Sequence, residues 1–482
     1  MTTSSPTQSP LWSGVSKYLL LIFLVLAFLL RVTPAPSANL AHPDEIFQTQ
    51  EPAHRLAYGY GVVTWEWREG IRSWVFPAFL ACVMRATSWM GEESSGYLLG
   101  IRLMLSLISL SAVWFAFSWA KRASGTPAAF IAAGCCATWY QLVDFGGRAL
   151  TEVVAAHLLL PGLYLGVYGD RIPERERLIL AGAFCGLALS LRIQLMPAVA
   201  FALLGFCWTR WQNRILPVGA GLAIPIVVFG IVDWFTWSYP FRSFIRYFWL
   251  NAIEGRSKAY GVEPWNWYLL ILVETLGPML VFALVGVRRC LFLGGVALTI
   301  LVSHSVIGHK EVRFVYPMIP ILLTLAAIGI ADIAPKVMLC SRPSSGTLII
   351  VGLTVSISAS TLLAPQFPYW EKDTAGILAF DQLRNDSSLC GVGLYGQPWY
   401  DTGGYTHLHR EVPIIPVLDV SGLETNATAF NALIAPAVAS DLPRDFRLMQ
   451  CWNGVCLYKR LGFCTPPRIG SELNAYLQRT NN

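Results

Sequence analysis

The sequence predicts an all-α polytopic membrane protein of about eleven transmembrane helices, with a small α/β domain at its C-terminal end. Apolar residues make up 55% of the 482 residues and charged residues only 13%, which leaves too little polar surface for a soluble globule of this size. Continuous apolar runs of about 18–22 residues recur, and each is long enough to cross a bilayer as a helix. Near residue 365 these runs stop and short strand-like segments begin.

Eleven apolar segments are predicted to span the membrane. They lie near residues 17–33, 98–120, 127–144, 150–168, 177–192, 196–209, 214–235, 265–286, 289–307, 313–333 and 346–364. We expect the first to be retained, because Arg31 follows its apolar run and no convincing small-residue cleavage site is present. A break is expected at Met196–Pro197, since proline does not continue a preceding helix.

Residues 71–90 are apolar but contain Arg72 and Arg85, and we predict an interfacial or re-entrant helix there. If this segment is not counted as a membrane span, the clusters of basic residues between the spans all lie on one side of the membrane. Positively charged loops favour the cytoplasm, so the N-terminus is predicted to be cytoplasmic and the C-terminus external. The net charge of +6 is spread over short loops, which indicates topology rather than binding of nucleic acid.

The predicted domains are a membrane domain at 1–365, with a first external loop at 34–97, and an external domain at 366–482. Strands are expected near 389–395, 412–418, 432–437 and 455–459, between turns rich in Gly, Pro and Asp. The last domain also contains two glycosylation sequons, at Asn385 and Asn426, which are weak signals in a chain of this length.

Four cysteines lie in this C-terminal segment: Cys390, Cys451, Cys456 and Cys464. They could form two disulfides if the segment faces an oxidising compartment, and Cys451 with Cys456 could close a hairpin. A zinc site is less favoured, because its ligands are more often separated by two residues.

The first external loop opens with His42-Pro43-Asp44-Glu45. Acidic residues after a proline commonly interact with the start of a helix, which would be an ordinary structural role. The same loop gathers further polar and aromatic groups: Gln48, Glu51, His54, Arg55, Trp65, Glu66, Trp67, Arg68, Glu69, Arg72 and Trp74. At a membrane surface such groups suit either sugar binding or an interfacial anchor, so the tryptophans alone do not decide the function.

Two later loops supply cations. One contains His309, Lys310 and Arg313, and the other contains Arg256, Lys258 and Tyr260. They could neutralise a phosphate or could extend along the membrane surface, as long basic side chains often do. Four polar residues also lie within or beside apolar helices and are functional candidates for that reason: Arg148, Thr151, Glu152 and Arg192.

Carboxylates on one loop and cations on others suit the transfer of a sugar carried on a lipid phosphate. Cations stabilise the phosphate leaving group as its charge develops. A carboxylate removes the proton from the attacking hydroxyl group.

The motifs at 42–45, 64–72, 251–268 and 309–314 resemble glycosyltransferase family 22, and the resemblance extends from residue 42 to about residue 330. This family comprises dolichyl-phosphate-mannose-dependent α-mannosyltransferases. The Thr64-Trp65-Glu66-Trp67 stretch is most similar to members that add the third, α-1,2-linked mannose of the glycosylphosphatidylinositol (GPI) anchor.

The resemblance implies a GT-C fold and an inverting enzyme of the endoplasmic reticulum, or of the inner membrane if bacterial, whose site faces the lumen or periplasm. It implies no nucleotide sugar and no obligatory metal; the partners would be dolichyl or polyprenyl phosphate mannose, a glycolipid acceptor and the bilayer. Asp44 would be the general base and Glu45 its acidic neighbour. The donor phosphate would be held by His309, Lys310, Arg313, Arg256 and Lys258. The acceptor or sugar would contact His42, Gln48, Trp65, Glu66, Arg72, Arg148 and Tyr260.

Two alternatives stay open. One keeps the fold but uses another hexose or acceptor, such as an N-glycan precursor or a bacterial glycolipid. The other is a transporter of a lipid-linked sugar, which would favour inverted repeats and charges at mid-membrane depth. No repeat is evident in the sequence and the charges concentrate at one predicted face, which disfavours transport.

Overall fold

The computed structural model describes residues 10–33, 42–90, 94–169, 171–337, 344–366, 374–439 and 442–480. Parts of the predicted first external loop, at 34–41 and 91–93, lie outside this description. The chain divides into two compact units. The first contains Met1–Pro34, Leu105–Phe229 and Leu250–Phe367, and the second contains Ala35–Met104, Gly230–Trp249 and Pro368–Asn482.

Helices dominate the described residues. Up to residue 366 the α-helices are α1 (Pro10–Val32), α2 (Glu51–Tyr58), α3 (Trp65–Glu69), α4 (Val75–Thr87), α5 (Ser94–Thr138), α6 (Tyr140–Phe145), α7 (Thr151–Val167), α8 (Glu174–Leu191), α9 (Met196–Cys207), α10 (Trp211–Trp237), α11 (Arg242–Phe248), α12 (Trp267–Leu276), α13 (Pro278–Val287), α14 (Leu291–Val306), α15 (Ile319–Val337) and α16 (Ser345–Leu363). A π-helix at Glu45–Gln50 runs directly into α2, and a 3₁₀ helix at Val312–Met318 runs directly into α15.

Several helices have the length and composition of membrane spans, so the chain is an integral membrane protein. Among the described residues, four stretches qualify: Ser95–Thr138, Trp211–Trp237, Val312–Lys336 and Ser345–Leu363. The pair α12 and α13 would make a fifth if counted as one broken span. Shorter apolar helices lie at most of the other predicted positions, so the number eleven stays a prediction.

Glycine and proline explain where the predicted spans break. Gly125 adopts a left-handed φ of +84° inside α5, and Pro127 follows it, which separates the spans predicted at 98–120 and 127–144. The expected break at Met196–Pro197 is confirmed, because α9 begins there with the proline in its first turn. The span predicted at 265–286 is interrupted at Gly277 and Pro278, where α12 and α13 meet at 105°, so that it is either one broken span or a re-entrant pair.

The second unit contains a five-stranded sheet in the order β2-β1-β3-β5-β4. Its C-terminal elements are α17 (Ala375–Leu383), β1 (Val392–Tyr395), α18 (Gly404–Leu408), β2 (Ile414–Val417), α19 (Val420–Asn426), β3 (Ala432–Pro436), β4 (Arg447–Trp452), β5 (Val455–Lys459) and α20 (Leu473–Thr480). Strand β1 pairs in parallel with β2 and β3, whereas β5 pairs antiparallel with β3 and β4. The four strands predicted from sequence are confirmed, and β4 is an addition.

Both disulfides that the cysteine content allowed are present in this unit. Cys390 is bonded to Cys464, with Cα atoms 5.8 Å apart, and Cys451 is bonded to Cys456 across the β4–β5 hairpin. The bonds connect β1 to the segment after β5 and close the hairpin itself. This pairing accounts for all four C-terminal cysteines.

One apolar core of the second unit includes residues from both ends of the chain. Ile46 and Phe47 of the π-helix and Val62 pack with Phe380, Leu408 and other residues of the C-terminal segment. All of them are almost fully buried. The polar first loop and the C-terminal α/β segment are therefore one folded body rather than two.

Candidate active site

Asp44 lies at the start of the helical run that continues through the π-helix into α2. The Pro43 carbonyl accepts hydrogen bonds from the Ile46 and Phe47 amides, at 3.0 and 2.9 Å. In the described part of the chain, the Asp44 side chain accepts no capping hydrogen bond from this helix. The carboxylate is therefore not a hydrogen-bonded N-cap of this helix, although its place at the N-terminus still allows a favourable interaction with the helix dipole.

The neighbours of Asp44 on its own segment are His42 and Glu45. The Asp44 amide donates to His42 Nδ1 at 3.1 Å, and that nitrogen lies 3.5 Å from the Asp44 carboxylate. About a quarter of each side chain is exposed, so both can meet a substrate. Glu45 is buried, with 8% of its surface exposed, and Gln48 further along the π-helix is half-buried.

A cation from the motif at 64–72 stands beside Asp44. Arg72 Nη2 donates to Glu66 Oε1 at 2.8 Å, and its guanidinium lies 5.7 Å from the ring centre of Tyr247. Burial opposes the charge of Arg72, but Glu66, Tyr247 and Asp44 outweigh it and raise the pKa of Arg72 above its usual value. Arg72 is therefore positively charged, and the carboxylate of Asp44 is near enough to stabilise this charged form.

The loop that carries Arg72 is held by α10 and α11. Trp237 Nε1 donates to the Arg72 carbonyl at 3.0 Å, and Arg246 forms an ion pair with Glu69. Gly70 adopts a left-handed φ of +69°, and a Cβ there would lie 2.9 Å from Arg242 Nε and 3.3 Å from the Trp237 ring. The sequence groups Trp65, Glu66 and Arg72 in one loop, and the structure keeps them together, with Trp65 half-buried in α3.

The first unit contains the second cluster, centred on Arg313. Its guanidinium lies 2.7 Å from Glu152 and 2.6 Å from Glu311, and only 6% of the side chain is exposed. Arg192 approaches the same Glu152 carboxylate at 3.7 Å. Glu152 lies in the first turn of α7 and Arg313 in the 3₁₀ helix before α15, so the ion pair joins two helices.

His309 and Lys310 add to the positive charge of this cluster. His309 Nε2 lies 3.0 Å from Glu311, and this hydrogen bond raises the pKa of His309. The Lys310 ammonium donates to the Glu263 carbonyl at 3.0 Å, and burial lowers the pKa of Lys310. Two arginines and a lysine lie near three carboxylates, those of Glu152, Glu311 and Glu263, so these charges balance and a protonated His309 makes the cluster positive.

The remaining predicted residues are placed differently. Arg256 and Lys258 lie on an exposed 3₁₀ turn, and Arg256 is 3.4 Å from Glu254. Tyr260, on the same turn, is 64% exposed, and its ring centre is 6.1 Å from that of His309. Arg148 is buried and pairs with Asp144 at 2.7 Å, one helical turn earlier.

The sequence predicted candidate site residues better than it predicted the residues that contact them. Glu311 was not selected as a site residue, although it contacts Arg313. Glu152 was a candidate because it is a carboxylate beside an apolar run. The structure places it in the cluster, paired with Arg313. A carboxylate beside a cationic motif, as in His309-Lys310-Glu311, is the signal that could have identified Glu311.

Comparison with known proteins identifies the family. A model of the Alg9-like mannosyltransferase family matches residues 21–409. The chain belongs to this family. The Alg9-like family match covers both clusters described above and confirms the prediction of a glycosyltransferase.

Relatives of this Alg9-like protein include enzymes named for GPI-anchor synthesis. GPI mannosyltransferase 3 of Yarrowia lipolytica is 26% identical over 77% of this chain and 72% of the relative. GPI alpha-1,2-mannosyltransferase 3 of Mus musculus is 29% identical over 60% of this chain, which spans 55% of the mouse protein. The human protein of that name is 24% identical over 77% of this chain and 67% of its own length.

Solved structures show the fold of this Alg9-like protein. ArnT from Cupriavidus metallidurans, in a crystal structure bound to undecaprenyl phosphate, aligns with a TM-score of 0.60 at 14% identity. The alignment covers 95% of this chain and 100% of that ArnT chain. The apo state of the same ArnT aligns with a TM-score of 0.58. The predicted GT-C membrane fold is thereby confirmed.

Proposed function

We propose that this Alg9-like protein is an inverting α-mannosyltransferase that moves mannose from a dolichyl or related polyprenyl phosphate to a mannosylated glycolipid. The linkage formed is α-1,2, as the names of the animal relatives specify for their own reaction. A polyprenyl phosphate as carrier agrees with the undecaprenyl phosphate bound to ArnT. The observation that carries the proposal is the Asp44 carboxylate, which begins the helical run, is about a quarter exposed and lies beside the charged Arg72.

In the proposed reaction Asp44 accepts the proton of the acceptor hydroxyl group. The hydroxyl oxygen forms a bond to the anomeric carbon of mannose from the face opposite the phosphate. The bond between that carbon and the phosphate oxygen breaks, and its electron pair leaves with the polyprenyl phosphate. A single displacement of this kind converts a β-linked donor into an α-linked product.

His309, Lys310 and Arg313 would neutralise the departing phosphate, assisted by Arg256 and Lys258. The two carboxylates on Arg313 support this role, because they orient a guanidinium that would otherwise sample many rotamers. Arg72 would place a positive charge beside Asp44, and Glu45 would shape the surroundings of the Asp44 carboxylate. The acceptor or sugar would contact His42, Gln48, Trp65, Glu66, Arg72, Arg148 and Tyr260.

The proposed topology has eleven spans, a cytoplasmic N-terminus and an external C-terminal domain at 366–482. The two disulfides of that domain support an oxidising compartment, which is the lumen of the endoplasmic reticulum in a eukaryotic cell. The loop at 34–97 would face the same compartment. This agrees with its inclusion in one compact unit with the C-terminal residues.

The test is a transfer assay with the full-length protein in lipid nanodiscs. Wild type, Asp44→Asn and Glu45→Gln are supplied with radiolabelled polyprenyl-phosphate mannose and a dimannosyl glycolipid. Asp445→Asn, an exposed acid elsewhere in the second unit, is the matched control. We expect transfer by wild type and by the control, and a loss of at least about 100-fold in Asp44→Asn, since removing a general base typically costs that much.

Digestion of the product with an α-1,2-specific mannosidase checks the linkage. Transfer by Asp44→Asn at the wild-type rate would overturn the assignment of the base. A wild-type protein that moves the labelled lipid between leaflets and forms no glycosidic bond would favour the transporter instead.

A further inference from the structure

The helical run that begins at Asp44 is attached at its far side to the C-terminal segment by one buried carboxylate. Glu51, at the junction of the π-helix and α2, has 0% of its surface exposed. Its Oε2 accepts from the Val62 amide at 2.6 Å. Its Oε1 accepts from both the amide and the hydroxyl of Thr406, at 2.5 and 2.6 Å.

Every polar group of Thr406 forms a hydrogen bond. Its amide and hydroxyl donate to Glu51, and its carbonyl accepts from the Tyr97 hydroxyl. The approach is close: Gly404, two residues earlier, has a left-handed φ of +55°, and a Cβ there would lie 2.6 Å from Glu51 Oε1. The backbone of α18 is therefore shaped to fit the carboxylate.

Apolar and aromatic contacts extend this attachment along the run. The rings of Phe47 and Trp399 meet edge to face at 4.9 Å. At the other end, His54 Nε2 and His409 Nδ1 are 3.0 Å apart. Contacts with the C-terminal segment thus occur at Phe47, Glu51 and His54, on both sides of the π-to-α junction.

We propose that Thr406 is a positioning residue for Asp44, acting through Glu51, so that the C-terminal segment is part of the catalytic apparatus. This inference rests on the proposed role of Asp44 as base. The helical run is continuous from Asp44 to Tyr58, so a shift at Glu51 moves Asp44 with it. Displacements of about 1 Å can cost about 100-fold in rate when a reacting group must be aligned.

The π-helix makes this coupling specific. A π-helical stretch is uncommon, because its wider turn packs less well than an α-helix, and it persists where surrounding contacts hold it. Here Glu45–Gln50 is contacted by α4 and by the C-terminal segment, the latter through Ile46 and Phe47, and Glu51 directly after it is bonded to Thr406. Loss of the Thr406 hydroxyl would let the π-helix relax toward α geometry and rotate Asp44 away from Arg72.

The experiment compares three threonine variants of the full-length protein in nanodiscs. Thr406→Val removes the hydroxyl that donates to Glu51 and keeps the shape of the side chain, whereas Thr406→Ser keeps the hydroxyl. Thr402→Val is the matched control, since Thr402 is equally buried in the same segment, but its hydroxyl donates to the Trp399 carbonyl and accepts weakly from the Gly404 amide at 3.4 Å instead of contacting Glu51. We measure kcat and the KM of each lipid, with hydrogen exchange of the 44–50 amides.

We expect Thr406→Val to lower kcat about tenfold, with both KM values within about twofold, and to raise exchange in residues 44–50. Thr406→Ser and Thr402→Val should stay within about twofold of wild type in every quantity. If Thr406→Val does not reach the membrane folded, Tyr97→Phe removes the bond to the Thr406 carbonyl and should lower kcat about threefold.

Unchanged kcat and exchange in Thr406→Val, or an equal loss in Thr402→Val, would overturn the positioning role. The same holds if Thr406→Ser fails to restore the rate. A separate result tests the role of Asp44 as base: transfer by Asp44→Asn at the wild-type rate would contradict it, whatever the threonine variants show. If the natural substrate differs from mannosyl phosphate lipid, exchange in residues 44–50 still decides whether Thr406 holds that turn.

Discussion

Glu152 and Arg313 form an ion pair 2.7 Å apart, with 2% and 6% of their side chains exposed. Taking both charges out of water is costly, and that cost is offset in part by Glu311, which accepts a hydrogen bond from Arg313, and by the charge of Arg192, 3.7 Å from Glu152. The motif at 309–313 is therefore a network in which each cation has a stated partner. A phosphate that entered it would compete with Glu152 and Glu311 for Arg313.

Removing the carboxylate of Glu152 should destabilise the first unit. Glu152→Gln leaves the buried Arg313 and Arg192 with one carboxylate fewer, and breaking a buried pair costs about 3–5 kcal/mol. We expect the lower end of that range, because Glu311 still contacts Arg313. Thermal unfolding of the purified protein in detergent measures the effect.

The matched control for Glu152 is Asp332, which pairs with Arg289 at 2.8 Å while 59% of the arginine is exposed. Asp332→Asn should leave the unfolding temperature unchanged, since exposed pairs contribute little. Equal losses in the two variants would mean that burial does not set the importance of these pairs. Donor KM should fall in Glu152→Gln alone if Arg313 binds the phosphate, because the phosphate then competes with one carboxylate fewer while Glu311 still orients Arg313.

Gly404 should be far more sensitive to substitution than a glycine with a similar backbone conformation elsewhere. Gly404→Ala combines left-handed strain with a collision at Glu51, which together should cost about 2–4 kcal/mol. Gly454, in the β4–β5 turn, has φ +84°, and no atom lies within 4 Å of the place that a Cβ would take there. Gly454→Ala should therefore cost about 1–2 kcal/mol from strain alone.

Proteolysis of the second unit over a urea series distinguishes the two glycine variants. A Gly404→Ala protein as stable as Gly454→Ala would show that α18 can move away from Glu51. In that case the attachment of the C-terminal segment is looser than the hydrogen bonds to Thr406 indicate. Kinetic assays of the same two proteins then test whether the rate of transfer attributed to Asp44 depends on the attachment of the C-terminal segment.

Local sequence patterns were sufficient to predict most of the C-terminal sheet and the composition of the Asp44 loop. Strands β1, β2, β3 and β5 have apolar residues that face a core, whereas β4 is exposed over most of its length and gives no alternation to read. Edge strands of this kind depend on their neighbour, here β5, rather than on their own apolar residues.

The pairings across the chain could not be predicted in the same way. Glu51 and Thr406 are 355 residues apart in sequence, and a buried glutamate has the same local signature as a solvated one. The sequence indicated which residues are charged but not which carboxylate meets which cation. Such pairings depend on tertiary packing, which in this unit brings the first loop into the core of the C-terminal segment.

Acid should weaken the second unit through His54. Burial lowers the pKa of His54 to about 4, against about 6.5 in an unfolded chain. The unfolded state therefore takes up the proton first. The contribution of neutral His54 to the free energy of unfolding is complete above about pH 6.5 and falls as the pH drops toward 4. The loss approaches about 3 kcal/mol at the acid end, because a tenfold change in proton affinity corresponds to about 1.4 kcal/mol.

Comparing His54→Gln with wild type isolates this contribution. Burial raises the pKa of Glu51 to about 7, which gives an opposite slope, since that stability is lost as the pH rises from about 4.5 to 7. Glutamine can still donate to the Tyr60 carbonyl and accept from His409, but it does not titrate. The two contributions nearly cancel in the wild type, so its stability should change little between pH 4.5 and 7, whereas His54→Gln should become more stable as the pH falls; parallel profiles would contradict the assignment.

The two disulfides should differ in their contribution to the stability of the second unit. Cys390–Cys464 closes a separation of 74 residues and Cys451–Cys456 one of 5 residues. In the chain-entropy model the first restricts the unfolded chain more, by about 4 kcal/mol against about 2 kcal/mol. Paired Cys→Ser variants compared by urea-dependent proteolysis measure both, and the long-range pair should show the larger loss. Equal losses would mean that the hairpin disulfide stabilises the exposed β4 directly, because restriction of the unfolded chain alone predicts unequal ones.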